Sequence, residues 1–327
     1  MQKPRRQRGG FLIYIWCEVI WKNRLLTVHD RSSTKHMLLK PARIALAQCA
    51  SILGDVRWNV GRHVEIVEQA LAQKADAVIF PELSLSGYTL RDLNFECAIK
   101  ADAEVLAPLR KLSKKITIIA GAVEEDDRGA VYNSAFLFES GEVRHTHRKV
   151  YPPNYGIFEE ARYFTSGRSA DAFTSDRLGR IGILICEDLW HPALPYLLAH
   201  DGAQLIIGLA ASPTRLVSGD GRKDGLDELE IYTINREHHA VYARLLGCFV
   251  AFVNKVGVED GMNFWGGSEI VSPSGETVAR AKFFDEDLVT FEIDPNQVLQ
   301  ARQLSRHFLD DDPLLTNHLL SGLLVKK

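Results

Sequence analysis

The segment Arg180-Ile-Gly-Ile-Leu-Ile-Cys186, running into Glu187-Asp-Leu-Trp-His-Pro192, decides the fold class. Its apolar run is too short for a helix and alternates with nothing polar, which is the pattern of a strand covered on both faces. Ala77-Val-Ile-Phe-Pro81 reads the same way and is stopped by proline. Ile44 to Cys49 and Gln204 to Leu209 add two more such strands. Between the strands expected over 44–49 and 77–81 lies a stretch with Val60, Val64, Val67 and Leu71 at helical spacing, which predicts an amphipathic helix over 56–74. Alternation of buried strands with one-faced helices predicts an α/β domain with helices outside the sheets.

Further elements extend this plan. A second helix is expected over 95–114, then a strand over 116–121 and a hairpin of 131–138 with 142–147 about Ser140-Gly141. A helix beginning near Pro192 separates two strands. A long helix over 227–246 places Ile231, Ile234, Val241 and Leu245 on one expected apolar face. Strands over 249–254, 268–272 and 288–293 complete the domain.

The chain has 327 residues, 46% hydrophobic and 25% charged, the composition of a folded globular protein. Lys and Arg number 39 against 42 Asp and Glu, a net charge of −3 that gives no general reason to bind nucleic acid. Residues 1–36 differ in texture and are expected to be an extension outside the fold, with Met37 opening onto the first strand of a domain spanning 37–327. Their apolar run, Phe11 to Ile20, carries Glu18 and is followed by no small-residue cleavage site, so neither a membrane span nor a signal peptide is expected. Five scattered cysteines with no C-x-x-C pair fit a reducing, cytoplasmic setting, and Cys49, Cys97 and Cys248 read as buried small hydrophobes.

Three residues stand where a rigid strand end projects a side chain: Glu82, Lys149 and Cys186. Each has a bland reading as well, an exposed loop carboxylate, a solvated strand-end charge and a buried thiol. A cysteine protease pairing Cys186 with His191, or with His238-His239, lacks the local signature of that chemistry. His145-x-His147 lacks an acidic third ligand and is expected to be a solvated hairpin rather than a metal site.

Taken together, Phe80-Pro-Glu-Leu-Ser-Leu-Ser-Gly-Tyr88, Arg148-Lys-Val-Tyr-Pro-Pro-Asn-Tyr-Gly-Ile-Phe-Glu-Glu160 and Ile181-Gly-Ile-Leu-Ile-Cys-Glu-Asp-Leu-Trp190 resemble, in order, the three signature blocks of the nitrilase or carbon-nitrogen hydrolase superfamily. The resemblance runs from about residue 40 to about residue 300. It implies a single αββα sandwich and a catalytic set of Glu82, Lys149 and Cys186, with Glu160 as a further glutamate beside the lysine. It implies cleavage of a non-peptide C–N bond in a small amide through a cysteine thioester, with release of ammonia and no metal or cofactor.

The second and third blocks look most like the glutaminase domain of glutamine-dependent NAD synthetase. That branch implies substrate contacts at Tyr155, Phe158, Glu187 and Ser212. Ala211-Ser-Pro-Thr-Arg215 matches its Ser-Pro block only at the start, without the following Gly-Lys. No Gly-rich phosphate loop appears, and no synthetase domain is expected within these 327 residues. Three readings therefore stand: a free-standing amidase, an ammonia-supplying subunit of a separate synthetase, and a catalytically silent scaffold. A homo-oligomer is expected from the resemblance.

Overall fold

The computed structural model describes residues 40–214 and 230–325. The extension expected at residues 1–36, and the first three residues of the helix expected over 227–246, lie outside these. Strand β1 (Ala42–Gln48) leads through helix α1 (Val56–Ala72) to β2 (Ala77–Ile79). Two short helices, α2 (Asn94–Cys97) and α3 (Ala107–Leu112), precede the antiparallel run β3 (Thr117–Glu125), β4 (Val131–Glu139) and β5 (Glu142–Arg148). One turn of helix, α4 (Glu160–Tyr163), is followed by β6 (Phe173–Ser175) and β7 (Gly179–Ile185). Then come α5 (Ala193–His200), β8 (Leu205–Ala210), β9 (Pro213–Thr214), α6 (Glu230–Leu246) and β10 (Phe249–Asn254). Five strands follow: β11 (Val256–Glu259), β12 (Met262–Trp265), β13 (Glu269–Val271), β14 (Thr277–Arg280) and β15 (Asp287–Ile293). Helices α7 (Pro295–Leu304) and α8 (Pro313–Leu324) come last.

Two six-stranded sheets are formed, in the orders β15-β1-β2-β3-β4-β5 and β14-β13-β10-β8-β7-β6. Each has a parallel centre, β1-β2-β3 in one and β7-β8-β10 in the other. The period-2 alternation of strand side chains then assigns the layers. Ile44, Leu46, Ile79, Ile119 and Leu137 face Ile183, Ile185, Ile207, Leu209 and Val253 between the sheets. Ala45, Val78, Ile118 and Phe136 face outward onto α1 and α3, while Leu184, Ile206 and Val250 face α5 and α6. The arrangement is the expected αββα sandwich. Among the described residues no helix is long and apolar enough to cross a membrane.

Two expectations need correction. The helix expected over 95–114 is broken, because Ile99 pairs with β3 through its N–H to Val123 and its C=O to the N–H of Glu125. Pro108, which would remove a hydrogen bond from a continuous helix, instead sits in the first turn of α3. In α6 the apolar stripe is not the buried one: Val241 and Leu245 are exposed, and Tyr232, Asn235, His239, Ala243 and Leu246 are buried. Polar residues can face the sheet there because they are satisfied, His239 Nδ1 lying 2.8 Å from Glu269 Oε1 on β13. The hairpin turn at Ser140-Gly141 appears as expected, with φ of 58° and 96°.

Candidate active site

The parallel strands of both sheets end at one edge of the sandwich, and the chemistry-bearing side chains leave from those ends. From the first sheet, β2 runs into Phe80-Pro81-Glu82, and β5 delivers Lys149 one residue beyond its last. From the second, β7 delivers Cys186. Glu82 and Lys149 are fully buried, which overturns the bland reading of each as a solvated charge.

A buried charge demands partners, and these residues satisfy one another. Lys149 Nζ donates to Glu82 Oε1 at 2.7 Å and to Glu160 Oε1 at 2.8 Å. Glu82 Oε1 also accepts from Asn133 Nδ2 at 2.7 Å, and Glu82 Oε2 accepts from the backbone N–H of Ala211 at 2.8 Å. Glu160 Oε1 accepts from the Tyr88 hydroxyl at 2.6 Å, and Glu160 Oε2 from Asn133 Nδ2 at 3.4 Å. Burial works against the Lys149 ammonium, but Glu160 and Glu82 outweigh it and hold its pKa well above the ordinary lysine value. Burial pushes Glu160 up to about 7, with Lys149 opposing and Glu82 adding.

Cys186 sits on a sharp strand-to-helix turn. Its φ of +46° is rare for a residue with a side chain, and a 3-10 turn, Cys186–Trp190, begins on it. Burial and the charge of Glu82 push its thiol well up, while Lys149 pulls it down. Burial thus favours the neutral thiol, with a buried carboxylate and an ammonium within electrostatic reach. By contrast Cys49, Cys97 and Cys248 are buried, as the sequence suggests, and burial lifts Cys49 and Cys248 to about 12.

Glycines allow the chain to close around this cluster. A Cβ on Gly121 of β3 would lie 2.2 Å from the backbone nitrogen of Leu83, and one on Gly167 would lie 2.1 Å from the carbonyl oxygen of Arg148. Any side chain at either position would displace the segment carrying Glu82 or Lys149.

The cluster opens into a cavity of about 1130 Å³. Of the residues expected to contact substrate, Tyr155, Phe158, Glu187 and Ser212 all line it, with Tyr88 and Trp190. Glu187 Oε2 accepts from the Tyr155 hydroxyl at 2.8 Å, and Glu187 Oε1 lies 3.8 Å from His191 Nε2. Ser212 is held by Asn254 at the end of β10, whose Oδ1 accepts from the Ser212 N–H at 2.8 Å. Its hydroxyl accepts from Trp265 Nε1 at 3.1 Å. Arg215 lies outside the described residues.

The histidines weighed for other chemistry are otherwise engaged. His191 stacks on Tyr151 with centroids 3.5 Å apart, and His238 meets Trp190 edge-on. The solvated hairpin expected at His145 and His147 is not what forms. His145 stacks on Phe173, and His147 is buried with Nε2 2.9 Å from Asp188 Oδ2.

Sequence reasoning missed three supports. Asn133 interrupts the apolar strand β4, and a polar residue at such a position is itself a signal. Asp188 was visible only as part of a motif. A second buried ion pair, Lys255 Nζ to Glu259 Oε1 at 2.7 Å, gave no local cue. Glu259 Oε2 accepts from the N–H of Tyr88 at 2.8 Å and so braces the loop that brings the Tyr88 hydroxyl to Glu160.

Residues 43–303 match the carbon-nitrogen hydrolase family. This chain belongs to that family. It is 31% identical over 268 residues to a glutamine-dependent NAD(+) synthetase of Thermotoga maritima, covering 80% of this chain and 44% of that protein. A synthetase of the same name from Acinetobacter baylyi is 32% identical over 260 residues, 79% of this chain and 45% of that one. The carbon-nitrogen hydrolase thus spans less than half the length of these relatives. Among solved structures, the glutamine-dependent NAD+ synthetase of Acinetobacter baumannii superposes with a TM-score of 0.70 at 30% identity, over 79% of this chain and 47% of that one. A carbon-nitrogen hydrolase from Helicobacter pylori superposes with a TM-score of 0.71 at 24% identity, over 86% and 99% of the two chains, a likeness of fold.

Proposed function

We propose that this carbon-nitrogen hydrolase cleaves a small linear amide by covalent catalysis at Cys186. The observation that supports this most is the buried Lys149, paired with Glu82 and with Glu160, the latter lining the same cavity as Cys186. Glu82 takes the thiol proton as sulfur attacks the carbonyl carbon, and Lys149 with the N–H of Glu187 holds the oxyanion. Glu82 then returns the proton to the departing nitrogen, the C–N bond breaks, and ammonia leaves a thioester. Water attacks that thioester, giving its proton to Glu82, and the S–C bond breaks to free the acid and restore the thiol. Lys149 stays protonated throughout. Glu160 with Asn133 keeps its ammonium aimed.

An amino-acid amide such as glutamine is the preferred substrate class, on the carboxylate of Glu187 in the cavity wall and the names of the synthetase relatives. A second reading draws on the same relatives: the chain supplies ammonia to a separate synthetase. Both place it in a reducing cytoplasm as a homo-oligomer. The intact set of Glu82, Lys149, Glu160 and Cys186 argues against a silent scaffold.

The test is ammonia release from a panel of amides, N-carbamoyl compounds and nitriles, with Cys186→Ala as blank. Turnover by the chain alone supports the free-standing amidase. Turnover only when a synthetase is added supports the subunit reading, and none in either condition defeats both.

A further inference from the structure

The Asp188 carboxylate is fully buried, yet it lies two residues after Cys186 and touches neither Glu82 nor Lys149 in the cluster above. Its four hydrogen bonds form a pattern. Oδ2 accepts from the N–H of Ile185, the residue before Cys186, at 3.1 Å, and from His147 Nε2 at 2.9 Å. Oδ1 accepts from the N–H of Val150 and of Tyr151, both at 3.0 Å. The donors at 147, 150 and 151 bracket Lys149, and the donor at 185 together with Asp188 itself brackets Cys186. Since β5 and β7 belong to different sheets, one carboxylate ties the sheet that carries the ammonium to the sheet that carries the thiol.

We infer that Asp188 is a positioning residue, whose carboxylate, with His147 as a side-chain donor, fixes the Cys186 sulfur relative to the Lys149 ammonium. This rests on Cys186 being the nucleophile of the proposed reaction. A carboxylate suits the task because it accepts from every side and donates nothing, so four N–H groups can converge on it. An amide there turns an N–H toward donors and must break part of the set. Without the tie, the strand-to-helix turn at Cys186 and the segment after Lys149 are free to separate. A shift of 1 Å is enough to cost catalysis heavily.

Two effects of removing Asp188 have opposite signs, and this makes the inference testable. The charges and phenols that act electrostatically on Cys186 are Glu82, Lys149, Glu160 and Glu187, with Tyr88 and Tyr155, and His147 is hydrogen-bonded to Asp188 itself. Loss of a nearby negative charge favours the thiolate and moves the thiol midpoint down. Loss of the Lys149 ammonium from its place moves it up.

The experiment is alkylation of Cys186 by iodoacetamide, followed by mass against pH, in the full chain and in Asp188→Asn, with Cys186→Ala as blank. In this reaction sulfur displaces iodide and the thiol proton is lost, so no amide turnover is needed. We expect Asp188→Asn to alkylate at least fivefold more slowly at pH 7, with its midpoint moved up. A smaller slowing, or a midpoint moved down, overturns the inference. Should Asp188→Asn fail to fold, His147→Gln and His147→Ala decide. Glutamine keeps a donor near the position of Nε2 and should hold the rate within threefold, whereas alanine should slow it fivefold or more. Equal rates in the two overturn the inference. If wild type hydrolyses no amide, the proposed reaction fails, and alkylation still reports on Asp188.

Discussion

Asn133 Nδ2 stands 2.7 Å from Glu82 Oε1, so an uncharged amide on β4 holds the carboxylate that the proposed mechanism uses as its base. The same nitrogen is 3.4 Å from Glu160 Oε2, which makes Asn133 an uncharged bridge between the two glutamates beside the Lys149 ammonium. Asn133→Ala should lower kcat ten- to a hundredfold. Loss of a hydrogen bond to a buried charge should also cost stability, about 1–3 kcal/mol. Steady-state kinetics and urea unfolding check both, and a kcat within twofold of wild type would count against the bridge.

Lys149 offers the reverse case, since removing it leaves two buried carboxylates facing each other. Lys149→Met should abolish turnover and destabilise the fold by about 3–5 kcal/mol, the scale for breaking a buried ion pair from one side. Equilibrium unfolding at pH 7 measures this. An unchanged midpoint would mean that the carboxylates find other partners.

Because Glu160 is pushed up to about 7, the cluster takes up a proton just below neutrality. With Glu160 neutral, Lys149 pairs with Glu82 alone, and Glu82 becomes a weaker base toward the thiol. We expect kcat/KM to rise with pH through an apparent pKa near 7 that belongs to the cluster as a unit. In Glu160→Gln that limb should vanish from the profile. Linkage has the opposite sign. The folded state binds this proton more tightly than the unfolded chain, so its contribution to stability is full below 4.5 and is lost as pH rises through about 7.

In the proposed reaction, Glu187 is the residue expected to distinguish an amino-acid amide from a plain one. Its Oε2 already accepts from Tyr155, which leaves Oε1 toward His191 and the cavity. Glu187→Gln should weaken binding of a glutamine-like substrate by about 1.5–3 kcal/mol, the scale of a charge-assisted hydrogen bond. It should barely change a simple aliphatic amide. The ratio of kcat/KM for the two substrates reads this directly, and an unchanged ratio would remove Glu187 from substrate selection.

Residues 37–327 should suffice for folding and activity. A chain begun at Met37 is expected to keep its Tm and its turnover, both measured beside the full chain. A clear loss in either would assign residues 1–36 a part in the fold.

Much of this was legible in the sequence because buried parallel strands are nearly uninterrupted apolar runs, and the residues that end them are conspicuous. Glu82, Lys149 and Cys186 stand out that way, and Glu160 follows only from the resemblance of its block. Local pattern could not reveal what long-range contact decides. Ile99 leaves a helix pattern because β3 offers it an edge. The buried face of α6 carries His239 rather than Val241 because Glu269 waits on a strand thirty residues later. Asn133 donates to carboxylates distant in the chain, Asp188 and Glu259 accept from distant donors, and no spacing rule records those pairings.

Glu82, the proposed base, and the Lys149 ammonium hang from one sheet and the Cys186 thiol from the other, and among the described residues no disulfide crosses the apolar layer between the sheets. Competence is therefore a property of the seam. Each half of the sandwich keeps its own ladder of backbone hydrogen bonds, so a small slip of one sheet across the other would leave the secondary structure intact while the thiol lost its base. Turnover then works as a molecular alignment gauge: under mild denaturant it should fade before the far-ultraviolet dichroism does, and restoring it should require the two halves to be seated again in their original register.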